Sequence, residues 1–128
     1  MKKRSGFTLL ELLIVITIIG ILTSLAMVSY SSAQRRARDS QRQADLKAIQ
    51  NALEQYYADH DGNYPSSVDD CNHPGEEYLP AGIPADPKTS VFYSPLTCNK
   101  TAYRFCADLE EDGSFDGTEE DFCVTNLQ

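Results

Sequence analysis

From Phe7 to Tyr30 the chain runs for 24 residues with a single carboxylate, Glu11, and, Tyr30 aside, no other ionisable side chain. As a helix rising about 1.5 Å per residue, that run spans roughly 36 Å, enough to cross a hydrocarbon core of about 30 Å with some tilt. The whole chain has 128 residues. The remainder is too small and too polar to wrap so long an apolar rod, which disfavours a buried helix of a soluble core. One membrane-spanning helix and one small domain are expected.

Charge is distributed unevenly. Lys2, Lys3 and Arg4 precede the apolar run, and Arg35, Arg36, Arg38, Arg42 and Lys47 follow it. From Asp59 onward, 15 acidic residues face only Lys88, Lys100 and Arg104, within a formal net charge of -8. By charge, the distal part repels nucleic acid rather than gripping it. Because basic residues flank the span on both sides, the positive-inside rule does not set its direction. The cysteines decide orientation instead. Cys71, Cys98, Cys106 and Cys123 all lie distal to the span, an even set that fits disulfides in an oxidising compartment. The expected topology is N-terminus in the cytoplasm and C-terminus outside.

Helical composition continues past Tyr30. Leu46, Ile49, Leu53 and Tyr56 recur at spacings of three and four, with Ala52 and Tyr57 beside them, which predicts one apolar stripe. The opposite face is expected to carry Arg42, Lys47, Gln50, Glu54 and Gln55. "DGNYP" stops the helix, because Asp61-Gly62 supplies a turn and Pro65 pushes Tyr64 out of helical geometry. One helix of about 54 residues, roughly 80 Å long, is expected. Its amphipathic half needs a partner. Ser90 to Leu96, Thr101 to Leu109 and Asp121 to Asn126 are rich in aromatic and β-branched residues and predict a three-stranded antiparallel sheet. The fold class is therefore α+β, with a short helix at Ser66 to Asp70 inside a long Pro/Gly-rich loop. Four cysteines allow three pairings. The central places of Cys106 and Cys123 in two neighbouring strands favour Cys106–Cys123 with Cys71–Cys98.

The N-terminal "GFTLLELLIVITIIGIL", after a short basic leader, resembles the signature of type IV pilins and of the pseudopilins of type II secretion systems. The matching features are Gly6, Phe7, Thr8, Glu11 and an uninterrupted apolar span with Gly20. The resemblance is strong over residues 1–30 and extends weakly to "NYP" and "IPADP". It implies a pilin-like fold divided into a leader (1–6), a membrane or filament-core half-helix (7–30), an amphipathic half-helix (31–61) and an extracytoplasmic head (62–128). It also implies that a prepilin peptidase cuts after Gly6 and methylates the new terminus at Phe7. The subunit would then pass from the cytoplasmic membrane into an extracellular or periplasmic filament, through an inner-membrane assembly platform driven by a partner ATPase. The resemblance covers both a pilus subunit and a pseudopilin of a secretion or DNA-uptake system.

Glu11 has a physical part in such a filament. A charge at the bilayer centre costs about 2.5–3.5 kcal/mol on insertion scales, and less near a helix end. The Phe7 amine of one copy can meet Glu11 of its neighbour, so that the pair selects register more than it adds stability. Glu11 paired with the amine of its own chain is the alternative. Two departures stand out. No proline interrupts the span, and Asp86-Pro87 is followed by Lys88-Thr89 where many pseudopilins have Trp-Gly; the head therefore leans toward a pilin. A cleaved secretory signal ending at Ala33 is a rival reading, weakened by the length of the apolar run and by Glu11.

Other chemistry is sparse. Asp112, Ser114, Asp116 and Gly117 place oxygens and a glycine as in the front half of a calcium loop, with Glu120 as a late ligand. The family's calcium-binding members make a structural calcium there the alternative to a solvated acidic hairpin tip, which is the favoured reading. No other cofactor is expected and no catalytic site is apparent. His60 and His73 read as surface residues, and the spacing of Cys71, His73 and Cys98 is poor for zinc. Arg35, Arg36, Arg38 and Arg42 are expected to face lipid phosphates before assembly and acidic groups of neighbouring subunits afterwards. A reading from a different class is a monomeric, membrane-tethered, calcium-dependent binding domain.

Overall fold

The computed structural model describes residues 6–110 and 121–128. It has five elements: α1 (Leu9–Asp59), α2 (Val68–Asn72), β1 (Pro95–Asn99), β2 (Ala102–Ala107) and β3 (Phe122–Thr125). The chain divides into two compact units, Met1–Gln34 and Arg35–Gln128.

In the first unit the described α1 side chains are exposed, Ser32 excepted. Leu9 is 88% exposed, and Leu12, Ile16, Ile19, Leu22 and Leu25 are likewise open. The mean hydropathy reaches 2.6, and by length and composition the helix is long and apolar enough to cross a membrane. Thr17 and Thr23 do not break it, because each hydroxyl donates back to carbonyls three and four residues earlier.

In the second unit α1 lays Leu46, Ile49 and Leu53 into a core completed by Tyr64, Ile83, Tyr93, Tyr103, Phe105, Ala107 and Val124. Its end is set by Asp61 and Gly62, both at positive φ, with the Gly62 N–H donating to the Tyr57 carbonyl at 3.1 Å. Glycine fits this left-handed position because it has no Cβ. The sheet is antiparallel in the order β1-β2-β3. Tyr103, Phe105 and Ala107 point inward while Arg104 points out, the period of two expected of a half-buried strand. Asn99 holds the β1–β2 turn, its side-chain oxygen accepting from the Thr101 and Ala102 N–H groups and the Thr101 hydroxyl. Cys71–Cys98 ties α2 to β1, and Cys106–Cys123 bridges directly paired residues of β2 and β3.

The structure corrects the sequence expectations in four places. The first strand lies later than Ser90 to Leu96; Val91 and Phe92 are exposed, and Phe92 makes only an isolated bridge to Ala85. Pairing of Thr97, Cys98 and Asn99 with Arg104, Tyr103 and Ala102 sets the register instead. The short helix is displaced to Val68–Asn72 because Ser67 is its N-cap, accepting from the Asp70 N–H. The long helix starts two residues after Phe7 and ends at Asp59.

The fourth correction concerns the supposed solvent face. Arg42 and Gln50 are buried, and Glu54 is half-buried. Positions 39, 42, 46, 49, 50 and 53 follow one heptad-like seam, so these polar groups lie beside the apolar stripe and must find partners. Gln50 donates to the Thr125 carbonyl at 2.7 Å. One Glu54 oxygen accepts from the Tyr64 hydroxyl at 2.9 Å, the Tyr103 hydroxyl at 2.8 Å and the Leu127 N–H at 3.1 Å. Burial, and then hydrogen bonding to Glu54, raises both tyrosine pKa values.

Leu53 is fully buried in this core, whereas Leu96 is 54% exposed. Leu53→Ala is expected to destabilise the second unit by about 2–5 kcal/mol. Leu96→Ala should shift it by no more than about 0.5 kcal/mol. Thermal unfolding of the detergent-solubilised chain, followed by near-UV tyrosine dichroism, separates the two.

Candidate assembly site

The N-terminal site is built on the first turn of α1. Thr8 is the last residue before the helix and Glu11 stands in its first turn. The Thr8 hydroxyl accepts from the Glu11 N–H at 3.2 Å. In return, Glu11 Oε2 accepts from the Thr8 N–H at 3.2 Å and from the Thr8 hydroxyl at 3.0 Å. This reciprocal arrangement is a capping box. It satisfies two orphan N–H groups and places a negative charge where the helix dipole favours one. The carboxylate is therefore not naked inside one copy. Its second oxygen, Oε1, accepts no hydrogen bond among the described residues and remains open to another donor. Gly6 and Phe7 lie just ahead of the helix and are exposed, so the Gly6–Phe7 peptide bond is outside the helical hydrogen-bond ladder. The capping role goes beyond the charge role expected of Glu11 from sequence, and the spacing Thr-x-x-Glu is the signal that announces it.

A second polar centre sits inside the Arg35–Gln128 unit. Arg42 has no solvent exposure. Its guanidinium lies 2.6 Å from Asp39, 2.6 Å from Asp86 and 3.0 Å from Glu110. Arg38 grips Glu110 with two parallel bonds of 2.7 Å, and Lys88 approaches Glu110 at 3.4 Å. The Glu110 N–H also donates to Asp39 at 2.9 Å. Three cations thus meet three anions, the balance a buried cluster needs. The Asp86-Pro87 turn is fastened to the cluster, since Asp86 Oδ1 accepts from the Lys88 and Thr89 N–H groups at 2.8 Å each.

Burial opposes the charge of Arg42, but hydrogen bonds to Asp86, Glu110 and Asp39 outweigh it and raise its pKa further. Burial would likewise raise Asp86; the Arg42 bonds and the Thr89 and Lys88 N–H groups pull it down to about 2. Hydrogen bonding from Arg38, opposed by burial and helped by Arg42 and Lys88, lowers Glu110 to about 2. Arg38 and Arg42 therefore do not face lipid or neighbouring subunits as expected from sequence, because both are engaged within the chain. Only Arg35 and Arg36 of that cluster are exposed.

Cys71 and Cys98 are joined to each other, which removes them as zinc ligands. Among the described residues no group of three or more His, Cys, Asp or Glu side chains is arranged to hold a metal. Asp112, Ser114, Asp116 and Glu120, the candidate calcium ligands, lie outside the described residues.

Residues 1–27 match the family model for the prokaryotic N-terminal methylation motif. A type II secretion system core protein G from Pectobacterium carotovorum is 28% identical over 98% of this chain and 86% of that protein. The Aeromonas hydrophila core protein G is 38% identical over 52% of this chain and 46% of that protein. The type IV major pilin protein PilA of Myxococcus xanthus is 37% identical over 46% of this chain and 27% of that protein. The chain is thus similar to type IV pilins and to the pseudopilins of type II secretion systems, most strongly over its N-terminal half. No solved structure gives a significant match. The matched stretch spans about half the length of several core protein G relatives.

The pilin-like α+β fold is thus held in its head by a charge cluster that the family motif does not contain. Arg42→Ala would leave the buried Asp39 and the half-buried Asp86 without their main cation. It is expected to cost about 3–5 kcal/mol of head stability. Asp86 and Glu110 hold protons less readily folded than unfolded. Their stabilisation is therefore complete above the ordinary carboxylate values of about 4 and is lost as pH falls toward about 2. Acid titration of wild type should show a stability decline in that window, and Arg42→Ala should flatten it.

Proposed function

We propose that the chain is a structural subunit of a type IV pilus-like filament, cleaved after Gly6, N-methylated on Phe7 and drawn from the cytoplasmic membrane into a helical fibre. The observation that carries this reading is the start of α1: a capped helix, apolar on all sides, opening two residues beyond the Gly6–Phe7 bond. Cleavage creates an α-amino group on Phe7 that is positive near neutral pH, and methylation keeps that charge. The open Oε1 of Glu11 is the acceptor that an amine from a neighbouring copy would use, while Oε2 stays on the cap.

Assembly gives the exposed apolar helix its partners. In the membrane these are lipid chains; in the fibre they are the same helices of other copies. The chain's own part is structural, and its partners are further copies of itself, a prepilin peptidase, and a membrane assembly platform whose ATPase supplies the work of extraction. The N-terminus remains on the cytoplasmic side until extraction, and the disulfide-linked head stands outside. A secretion pseudopilus is the second reading. It is favoured by likeness to core protein G along 98% of the chain, whereas the PilA match covers 46% of it.

Mass spectrometry of the mature subunit should find N-methylated Phe7 as its first residue. A terminus at Gln34, or a retained leader in assembled fibres, overturns the reading. Glu11→Val should insert and be cleaved normally yet give about tenfold fewer sheared fibres; wild-type yield would refute the pairing role. Deleting the gene separates the two filament types, since a pseudopilin loss stops protein export and a pilin loss removes surface fibres.

A further inference from the structure

We propose that Arg35 and Arg36 of one copy form an ion-pair contact with the acidic end of α1, Asp59 and Asp61, on a second copy of this chain. The contact rests on the filament reading above and names the surface by which its heads meet.

The two ends of this stretch of α1 are unlike each other. Arg38 and Arg42 are consumed inside the chain, but Arg35 and Arg36 are exposed and have no hydrogen-bond or ion-pair partner among the described residues. At the far end, Asp59 lies in the last helical turn, which holds no basic residue, and Asp61 follows it. Both are exposed. A helix C-terminus carries partial negative charge from its unpaired carbonyls, and acidic side chains there add to the mismatch. Glu77 adds to it again, since Glu77 and Asp59 both act on the Tyr78 hydroxyl, which burial and these carboxylates push up to about 12. No lysine or arginine forms an ion pair with these acids among the described residues. His60 lies between them in sequence, and its ring is occupied by stacking on Tyr56. The end of α1 is thus a place that a cation from outside the chain would relieve.

Geometry favours a second copy as the source. Arg35 and Asp59 lie in the same compact unit, on the same helix and 24 residues apart. That separation is about 36 Å along the axis. A neighbour displaced by this amount sets its basic end against the acidic end of the first. The contact is head-to-tail, so it leaves a free end of each kind and propagates. It also answers the acidic excess of the distal part, 15 acidic residues against three basic ones from Asp59 onward, which would otherwise set adjacent heads against each other. An exposed ion pair is weak alone, but a fibre repeats it at every subunit.

The test uses the full chain in cells that carry the assembly machinery, reading processed subunit in membranes and sheared fibre yield. Arg35→Glu with Arg36→Glu should leave insertion and processing unchanged and lower fibre yield about tenfold. Asp59→Lys with Asp61→Lys should do the same while keeping the thermal midpoint of the head. The four changes together should restore at least half of the wild-type yield. Wild-type yield from either pair, or no recovery in the combined variant, overturns the contact while leaving the filament reading in place. Loss of insertion or processing in the arginine pair assigns those side chains to lipid phosphates and also overturns it. Absence of wild-type fibres overturns the filament reading itself.

Discussion

Arg42 keeps a full positive charge with none of its side chain in water, and the architecture of the head follows from how that charge is met. Its three carboxylate partners come from three separate segments: Asp39 from α1, Asp86 from the proline-rich loop, and Glu110 from the stretch after β2. A buried arginine has five donors in a rigid fork, so it fixes where each of these segments passes. Apolar packing of Leu46, Ile49 and Leu53 would tolerate small slides of helix against sheet. The guanidinium would not, because a shift of an ångström or two leaves a buried ion without its counter-charge. The cluster is therefore better understood as a device for uniqueness of packing than as a source of net stability.

Much of this is legible in the sequence, for reasons that can be named. The apolar run from Phe7 to Tyr30 leaves no alternative to a lipid- or helix-lined environment, and the spacing of Leu46, Ile49 and Leu53 marks the buried stripe. β2 reads correctly because Tyr103, Phe105 and Ala107 alternate with outward residues. What misleads is polarity inside the stripe. Arg42, Gln50 and Glu54 look like a solvent face when counted by residue type, but they lie along the seam of the core and are satisfied by partners more than 40 residues away in the chain. No local pattern announces such pairings. The displaced first strand has a similar origin. Val91, Phe92 and Tyr93 have high β-propensity, yet register is set by hairpin pairing with β2, and only Tyr93 is buried.

Thr8 and Glu11 carry a different lesson. The cap is present in the sequence as a four-residue spacing, while the family resemblance points to the carboxylate's charge instead of its hydrogen bonds. The two roles are compatible because a carboxylate has two oxygens. One holds the helix start, and the other accepts no hydrogen bond among the described residues. A capped Glu11 is also pre-positioned, so an incoming amine meets an acceptor whose rotamer is already fixed, with less ordering entropy to lose on association.

The same chemistry, an acidic group meeting a basic one, thus operates in three settings with different consequences. At Arg42 the guanidinium is buried and meets three carboxylates within one copy, and the cluster fixes the head. At Glu11 one oxygen is held by the cap, and the other, open among the described residues, is an acceptor that lipid cannot satisfy. At the exposed ends of the amphipathic half-helix it is without an ion pair among the described residues: Arg35 and Arg36 at one end, Asp59 and Asp61 at the other. A monomer would gain from neutralising its surface ends internally, and a chain this rich in acidic residues could have done so by moving one of them next to Arg35. Like charges held together at each end suit a complement delivered by another molecule, and in the proposed contact a second copy brings both signs in the right spacing. Solubility of the single head and adhesion between heads then come from one charge pattern, and the choice between them is made by alignment along the helix axis.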